Sequence, residues 1–265
     1  MLGTTKIYGC LADPINHVKA PTIFTSIFKE KNIDAVMVPI HIDKYDLENL
    51  LGSLKKIKNF EGMTVTIPHK TSIANLCDYL EEDAEFTESV NWIKFDEDRN
   101  LIGNNFDGQG FISGFLGQNF SIENKQVCIF GAGGAAVSIA CSLVKQKIKS
   151  LKIINRNVDK AYELRKKVEI IDKDLLVEVD EYKDNLMLNH YNIVINATSL
   201  GLHRYDKLPF DVSKTSPKAV ISDIIMQPEE TKLLKQAKNL GRPVHYGKYM
   251  IESQIDLAGN YLNLW

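Results

Sequence analysis

The sequence predicts an α/β protein in two parts: an N-terminal three-layer α/β unit, then a doubly wound unit with a parallel sheet, with the last helix returning to the first unit. Three observations predict it. Strand-like and helix-like segments alternate through the first hundred residues, the pattern of a sheet covered by helices. A short apolar run, Val127 to Phe130, breaks at Gly131-Ala132-Gly133-Gly134-Ala135-Ala136 and passes into small and apolar residues at helical spacing. An amphipathic stretch, Met250 to Leu264, follows the second part. The expected division is 1–107 with 242–265 against 108–241.

In chain order, Lys6 to Cys10 reads as a strand and Pro14 to Pro21 as a loop. A helix is expected over Thr22 to Lys31, a strand over Ala35 to Ile40 and a helix over Leu47 to Ile57. The β-branched run Gly62 to Ile67 is a strand that stops at Pro68, because proline cannot donate to a ladder. Ala74 to Glu82 reads as helical, and Ser89 to Asp96 as a strand pairing toward Leu101-Ile102. A helical linker opens the second unit near residue 108. Leu151 to Asn155 is a strand, Ala161 to Lys167 a helix, and Tyr191 to Ala197 and Ala219 to Ile225 are strands. Thr231 to Asn239 is a helix stopped by Gly241.

Composition narrows the class. At 265 residues, with 44% hydrophobic and 25% charged residues, the chain is an ordinary globular protein. A net charge of −2 makes no electrostatic case for nucleic acid or an anionic membrane. Cys10, Cys77, Cys128 and Cys141 lack metal-ligand or C-x-x-C spacing, and His17, His41, His69, His190, His203 and His245 lack ligand spacing, so no metal is expected. No secretion signal or membrane span is legible, and a cytoplasmic protein is expected.

Strand, glycine turn and helix in that order form the context in which G-x-G-x-x-G/A binds a dinucleotide in a Rossmann-type unit. Gly131, Gly133 and Gly134 permit close approach to a pyrophosphate, and the helix N-terminus behind them offers free N–H groups. A tight turn without ligand is the plain alternative. The end of the next strand, where NAD enzymes carry an acidic ribose partner, here reads Asn155-Arg156, with Lys160 beyond. An Arg there suits a 2′-phosphate, so NADP is expected, with NAD tolerated.

Two further strand ends carry chemistry. Gly62-Met-Thr64-Val-Thr66-Ile-Pro68-His69-Lys70 delivers a lysine just past a turn, and Gly103-Asn104-Asn105-Phe106-Asp107-Gly108 delivers an aspartate. Brought together, Lys70 and Asp107 move a proton at a hydroxyl while a nicotinamide takes a hydride; desolvation would lower the lysine toward the working range. Taken singly, each has a plain alternative, a turn lysine and a capping aspartate.

Ten motifs in order resemble the shikimate dehydrogenase family. They run from Asp13-Pro14-Ile-Asn-His17-Val18-Lys19-Ala20-Pro21, similar to Pro-x-x-His-Ser-x-Ser-Pro, through Val65-Thr66-Ile-Pro68-His-Lys70, Val90-Asn91 and Asn105-Phe106-Asp107-Gly108. The glycine loop, Asn155-Arg156, Asn196-Ala-Thr198-Ser199-Leu-Gly201, Asp223 to Pro228, Thr231-x-Leu-Leu and Gly247-x-x-Met250-x-x-x-Gln254 complete them. The resemblance implies a substrate domain hinged to a nucleotide domain. It implies Lys70 and Asp107 as the catalytic pair, and Thr66, Asn91, Asp107 and Gln254 as substrate contacts. It also implies an NADP site of Gly131, Ala132, Gly133, Gly134, Ala135, Asn155, Arg156 and Lys160, with Asn196, Thr198, Gly247 and Met250 near the nicotinamide. Relatives include monomers and homodimers.

The departures from the family pattern gather on the substrate side. Val18 and Ala20 stand where the family has serines that hold the substrate carboxylate, with Lys19 between them as a substitute charge or a solvated side chain. Thr64, Trp92, Phe106 and Met226 replace Asn, Thr, Thr and Tyr. The resemblance therefore implies a retained hydride transfer on shikimate, or on a cyclic polyhydroxy acid or analogue with an altered acid group. The chain is more similar to a paralogue than to the biosynthetic enzyme of the shikimate pathway and aromatic amino acid biosynthesis. The alternatives are a quinate- or aminoshikimate-type dehydrogenase using NAD, and a non-catalytic nucleotide-binding regulatory module.

Overall fold

The computed structural model describes residues 1–16 and 18–265; His17, one of the histidines in the substrate-side motifs, lies outside the described residues. Two compact units divide the chain, Met1–Phe106 with Ile255–Trp265, and Asp107–Gln254.

The first unit holds β1 (Lys6–Ala12), α1 (Ala20–Glu30), β2 (Ala35–His41), α2 (Leu47–Leu54), β3 (Phe60–Val65), α3 (Lys70–Ala74), β4 (Tyr79–Leu80), α4 (Glu82–Thr87), β5 (Trp92–Phe95) and β6 (Leu101–Asn104). Its strands form one mixed sheet ordered β2-β1-β3-β5-β6-β4. Alternation along the strands fills both faces. Tyr8 and Cys10 of β1 join Phe24 and Phe28 of α1 in one core, and Leu11 joins Leu47, Leu51 and Ile73 in another. This is the expected three-layer arrangement.

The stretch expected as one helix over Ala74 to Glu82 is helical only at its two ends, where α3 closes at Ala74 and α4 opens at Glu82. The helix comes earlier, at Lys70–Ala74, and Tyr79 and Leu80 pair in parallel with Ile102 and Gly103. Asp78 fixes this ladder start, accepting from Leu101 N at 2.6 Å while Lys55 Nζ donates to it. Sheet pairing overrides the helical propensity of the stretch.

The second unit holds α5 (Asp107–Gly117), β7 (Gln126–Phe130), α6 (Gly134–Lys145), β8 (Ser150–Asn155), α7 (Val158–Ile171), β9 (Leu176–Glu181), β10 (Ile193–Asn196), β11 (Val220–Asp223), α8 (Lys232–Asn239), β12 (Val244–His245) and α9 (Gly247–Glu252). Its all-parallel sheet is ordered β12-β11-β10-β7-β8-β9, with the strand order reversing between β7 and β10. The strands read as continuous apolar runs because both faces are covered. Thr231 caps α8 by accepting from Leu234 N, and Gly241 follows with φ +71, the expected stop.

The C-terminal stretch is two helices rather than one. The first, α9, ends at Glu252, and α10 (Gln254–Tyr261) begins after Ser253. Compactness places 107 and 242–254 in the second unit, because α9 lies directly on α5. A Cβ at Gly114 would stand 2.6 Å from Tyr249 O, and one at Gly110 the same distance from Met250 O. Glycine is what lets the two helices approach this closely. Among the described residues no helix is long and apolar enough to cross a membrane.

Candidate active site

In the first unit, the carboxyl ends of β1 and β3, two interior strands of the sheet, gather the residues singled out on the substrate side. At the end of β3, Thr66 N donates to Leu11 O, and His69 N donates to Thr66 O. This turn sets Lys70 at the start of α3, half-buried, with its carbonyl accepting from Val90 N at 3.0 Å. Val65 N donates to Asn91 O at 2.8 Å, which brings buried Asn91 beside Thr66. The Asn91 Oδ1 accepts from Phe106 N at 2.9 Å, fixing the amide's orientation. Thr66, Lys70 and Asn91 are therefore drawn together.

His69 is fully buried, and its Nε2 lies 2.8 Å from the Ile42 carbonyl, so it braces the turn. The loop after β1 lies at the same end of the sheet, with Asp13 N donating to Ile67 O. On that loop Val18 is half-buried, Lys19 is exposed, and Ala20 is buried at the first turn of α1.

In the second unit the glycine turn joins β7 to α6 at the strand reversal, the crevice where open α/β sheets take ligands. Gly131 has φ +116, and a Cβ there would lie 2.7 Å from Ala197 O, so only glycine fits. Gly133 is exposed at the N-cap of α6, no side chain caps the helix, and a Cβ would meet nothing within 4 Å. Gly134 and Ala135 open the helix, half-buried, and Ala132 lies half-buried in the turn. An uncapped twelve-residue helix behind an open glycine fits a pyrophosphate.

At the end of β8, Asn155 Nδ2 donates to Asn157 O at 2.8 Å, and Asn157 caps α7 by accepting from the N–H groups of Asp159 and Lys160. Arg156 and Lys160 stand exposed on this corner.

At the ends of β10, β11 and β12 a buried network, not anticipated from the sequence, centres on Asp223. Its Oδ1 accepts from Asn196 Nδ2 at 3.0 Å and from Ile225 N at 3.1 Å. Its Oδ2 accepts from Thr231 Oγ1 at 2.7 Å. Asn196 in turn uses its Oδ1 to accept from the backbone and hydroxyl of Thr198. Gly247 lies against this corner, since a Cβ there would stand 2.5 Å from Ile225 O, and buried Met250 follows one turn later. Asn196, Thr198, Gly247 and Met250 thus share one end of the sheet. Asp107 opens α5, buried, with Gln254 Nε2 donating to its Oδ1 at 3.4 Å.

Two buried groups here titrate in opposite senses. Burial pushes the Asp223 carboxyl up to about 6, against its hydrogen bonds from Thr231, Ile225 and Asn196. Burial pushes His245 down to about 4; it is packed on Phe111 and Phe115, with Ser222 Oγ 2.9 Å from its Nδ1. As pH falls from about 6.5 to 4, the unfolded chain protonates His245 before the folded chain does, so this histidine removes stability. Between about 6 and 3.8 the folded chain protonates Asp223 first, which adds stability and offsets the loss. We therefore expect His245→Phe to gain about 3 kcal/mol relative to the parent between pH 7 and pH 4. Urea titrations at the two pH values check this; a difference that does not change with pH refutes it.

A parallel doubly wound sheet with an open glycine turn, joined in one chain to a second α/β unit that presents a lysine beyond the carboxyl end of an interior strand, defines a dinucleotide-linked oxidoreductase. Residues 10–93 match the profile of the shikimate dehydrogenase substrate binding domain, and residues 116–226 that of shikimate / quinate 5-dehydrogenase. The chain belongs to the shikimate dehydrogenase family. The shikimate dehydrogenase (NADP+) of Nitrosopumilus maritimus is 34% identical over 94% of this chain and 90% of its own length. That of Bacillus subtilis is 29% identical over 98% and 91%. Among solved structures, a shikimate dehydrogenase in complex with NADP+ superposes with a TM-score of 0.92 at 28% identity, covering 100% of this chain and 92% of that one. The ligand-free 5-ketofructose reductase of Gluconobacter sp. strain CHM43 superposes with a TM-score of 0.84 at 26% identity, covering 97% and 92%.

Proposed function

We propose that the chain is an NADP-dependent dehydrogenase that interconverts a ring hydroxyl and a ketone on shikimate and 3-dehydroshikimate, or on a close analogue. One observation carries this reading: family profiles match both units, and each unit retains its own half of the chemistry. The first presents half-buried Lys70 beside Asn91 and Thr66; the second presents the open glycine turn at an uncapped helix. When bound, NADP+ supplies the hydride acceptor for the carbinol C–H. Lys70 Nζ takes the hydroxyl proton as that hydride leaves and returns it when the ketone is reduced. Asp107, oriented by Gln254, and Asn91 and Thr66 hold the ring hydroxyls and fix the reacting carbon. Asn196, Thr198, Gly247 and Met250 form the nicotinamide corner, held in place by Asp223. The protein works in the cytoplasm, as a monomer or a homodimer.

Initial rates with shikimate and with quinate, each with NADP and NAD, test the reading. Lys70-dependent turnover with NADP supports it, and absence of any cofactor binding refutes it. Arg156 sets the cofactor choice through a charge-assisted contact to the 2′-phosphate. Arg156→Ala is expected to raise the KM for NADP by about tenfold while that for NAD changes less than about threefold. Equal changes for both cofactors would remove Arg156 from the 2′-phosphate site. A second reading, reduction of a keto sugar, is favoured by the likeness to the 5-ketofructose reductase.

A further inference from the structure

The second unit holds a cavity of about 380 Å³ between the loops that follow β10 and β11. Leu200, Leu202, Leu208 and Pro209 line it from the first loop, and buried Leu233 closes it from α8. Its floor is continuous with the apolar core, since Leu208 and Leu233 pack in one cluster with Phe210. The volume lies within the range of about 300–1,000 Å³ found for small-molecule pockets.

The first loop is shaped by its own hydrogen bonds. Asp206 Oδ2 accepts from His203 N and Gly201 N, both at 2.9 Å, and these two donors hold its carboxyl below the usual carboxylate range. Leu200 is fixed on both sides: its N–H donates to Thr198 Oγ1 at 3.1 Å, and its carbonyl accepts from Asn196 Nδ2 at 3.0 Å. This wall of the cavity therefore hangs on the network centred on Asp223.

The rim is cationic. Arg204, Lys207 and Lys232 line the cavity, and among the described residues none of them is in an ion pair. The two carboxylates of the lining are already engaged. Asp206 takes the loop N–H groups, with Lys232 acting on it through space, and Glu230 Oε1 accepts from Lys238 Nζ at 2.6 Å and Tyr246 Oη at 3.3 Å. Lys232 also opens α8, whose first turn holds no acid, so its charge opposes the helix dipole. An anion in the cavity would satisfy the rim and the helix end together. Tyr205, flanked in the chain by two lining residues, is 90% exposed and leaves an aromatic ring free beside them.

We propose that this cavity binds a small aromatic carboxylate, apart from the crevice at the glycine turn. The flat body lies on the leucine and proline floor, where burying apolar area is favourable. The carboxylate faces Arg204, Lys207 and Lys232, and a guanidinium can take both of its oxygens. A neutral ligand would leave these cations unanswered, and a bare anion would leave the floor wet.

The probe is 2-naphthoate, titrated calorimetrically into the protein with and without saturating NADP+. Binding is expected in both, with the cofactor changing the affinity less than about threefold. 2-Naphthamide, the same body without the charge, is expected to bind at least about tenfold more weakly. Acetate, the charge without the body, is expected to bind at least about a hundredfold more weakly. The double variant Arg204→Ala, Lys207→Ala is expected to weaken 2-naphthoate at least about tenfold. Both side chains are exposed, so the fold is retained, and a thermal melt verifies it. Lys218→Ala, just ahead of β11 at the opposite end of the sheet, is expected to leave binding unchanged. Failure of 2-naphthoate to bind overturns the proposal, as does displacement by NADP+ or equal binding of the amide or of acetate. An affinity that the double variant leaves unchanged, or that Lys218→Ala lowers as much, also overturns it.

Discussion

Lys70→Ala is expected to lower kcat/KM by about a thousandfold, within the range of a hundred- to ten-thousandfold that a positioned acid–base group supplies. The fold should tolerate the change. Lys70 opens α3 after His69, alanine is a strong helix former, and the turn is held by backbone bonds and by the His69 ring. NADP affinity should stay within about twofold, because the cofactor residues lie in the other unit, and the deficit should fall on kcat. Lys70→Arg should not rescue activity, since a guanidinium stays protonated at neutral pH and cannot accept the proton. Steady-state kinetics with a parallel NADPH titration decide it. A loss below tenfold would assign the proton to another group.

Gly131→Ala should abolish nucleotide binding by disturbing the turn itself. The φ of +116 lies where L-residues are strained, and the new methyl would press on the Ala197 carbonyl at 2.7 Å and its carbon at 2.9 Å. Strain of about 1–3 kcal/mol plus this overlap should lower the melting temperature and reduce NADPH affinity at least about a hundredfold. Gly133→Ala is the informative contrast. Its φ is −87 and nothing lies within 4 Å, so stability should be retained. Affinity should still fall, because a methyl would stand where the pyrophosphate approaches the helix N-terminus. If Gly133→Ala bound NADPH normally, the phosphate would not sit against this turn.

What was legible in the sequence follows from the range of the interactions involved. The glycine turn and the Gly241 stop depend on local backbone chemistry, and each appears where the residues indicate; the strand expected to run to Ile67 before Pro68 ends earlier, at Val65, where the turn to Lys70 begins. The strand pair around Trp92 and Leu101 was legible for the same reason. Tyr79-Leu80 reads as helical in the sequence because its ladder partner lies more than twenty residues away, and the spacing over Ala74 to Glu82 carries no trace of it. Strand β9 alternates too weakly to stand out in the sequence. Asp223 looked like one member of a motif, yet its function as a hub needs Asn196 and Thr231 folded around it. The departures at Val18, Ala20, Trp92 and Phe106 were each visible singly. That they pack into one core cluster depends on the sheet that brings them together.

The alternation of β1, with Tyr8 and Cys10 facing one layer and Leu11 the other, has a consequence for how this family diversifies. The layer around Trp92 and the layer of Leu47, Leu51 and Ile73 share a sheet but no buried side chain. Substitutions on opposite faces without common neighbours are close to additive. A lineage can therefore repack one layer by single steps, each compensated among its own neighbours, while the opposite layer goes on holding the sheet. The two halves of one small core are then free to change at different rates.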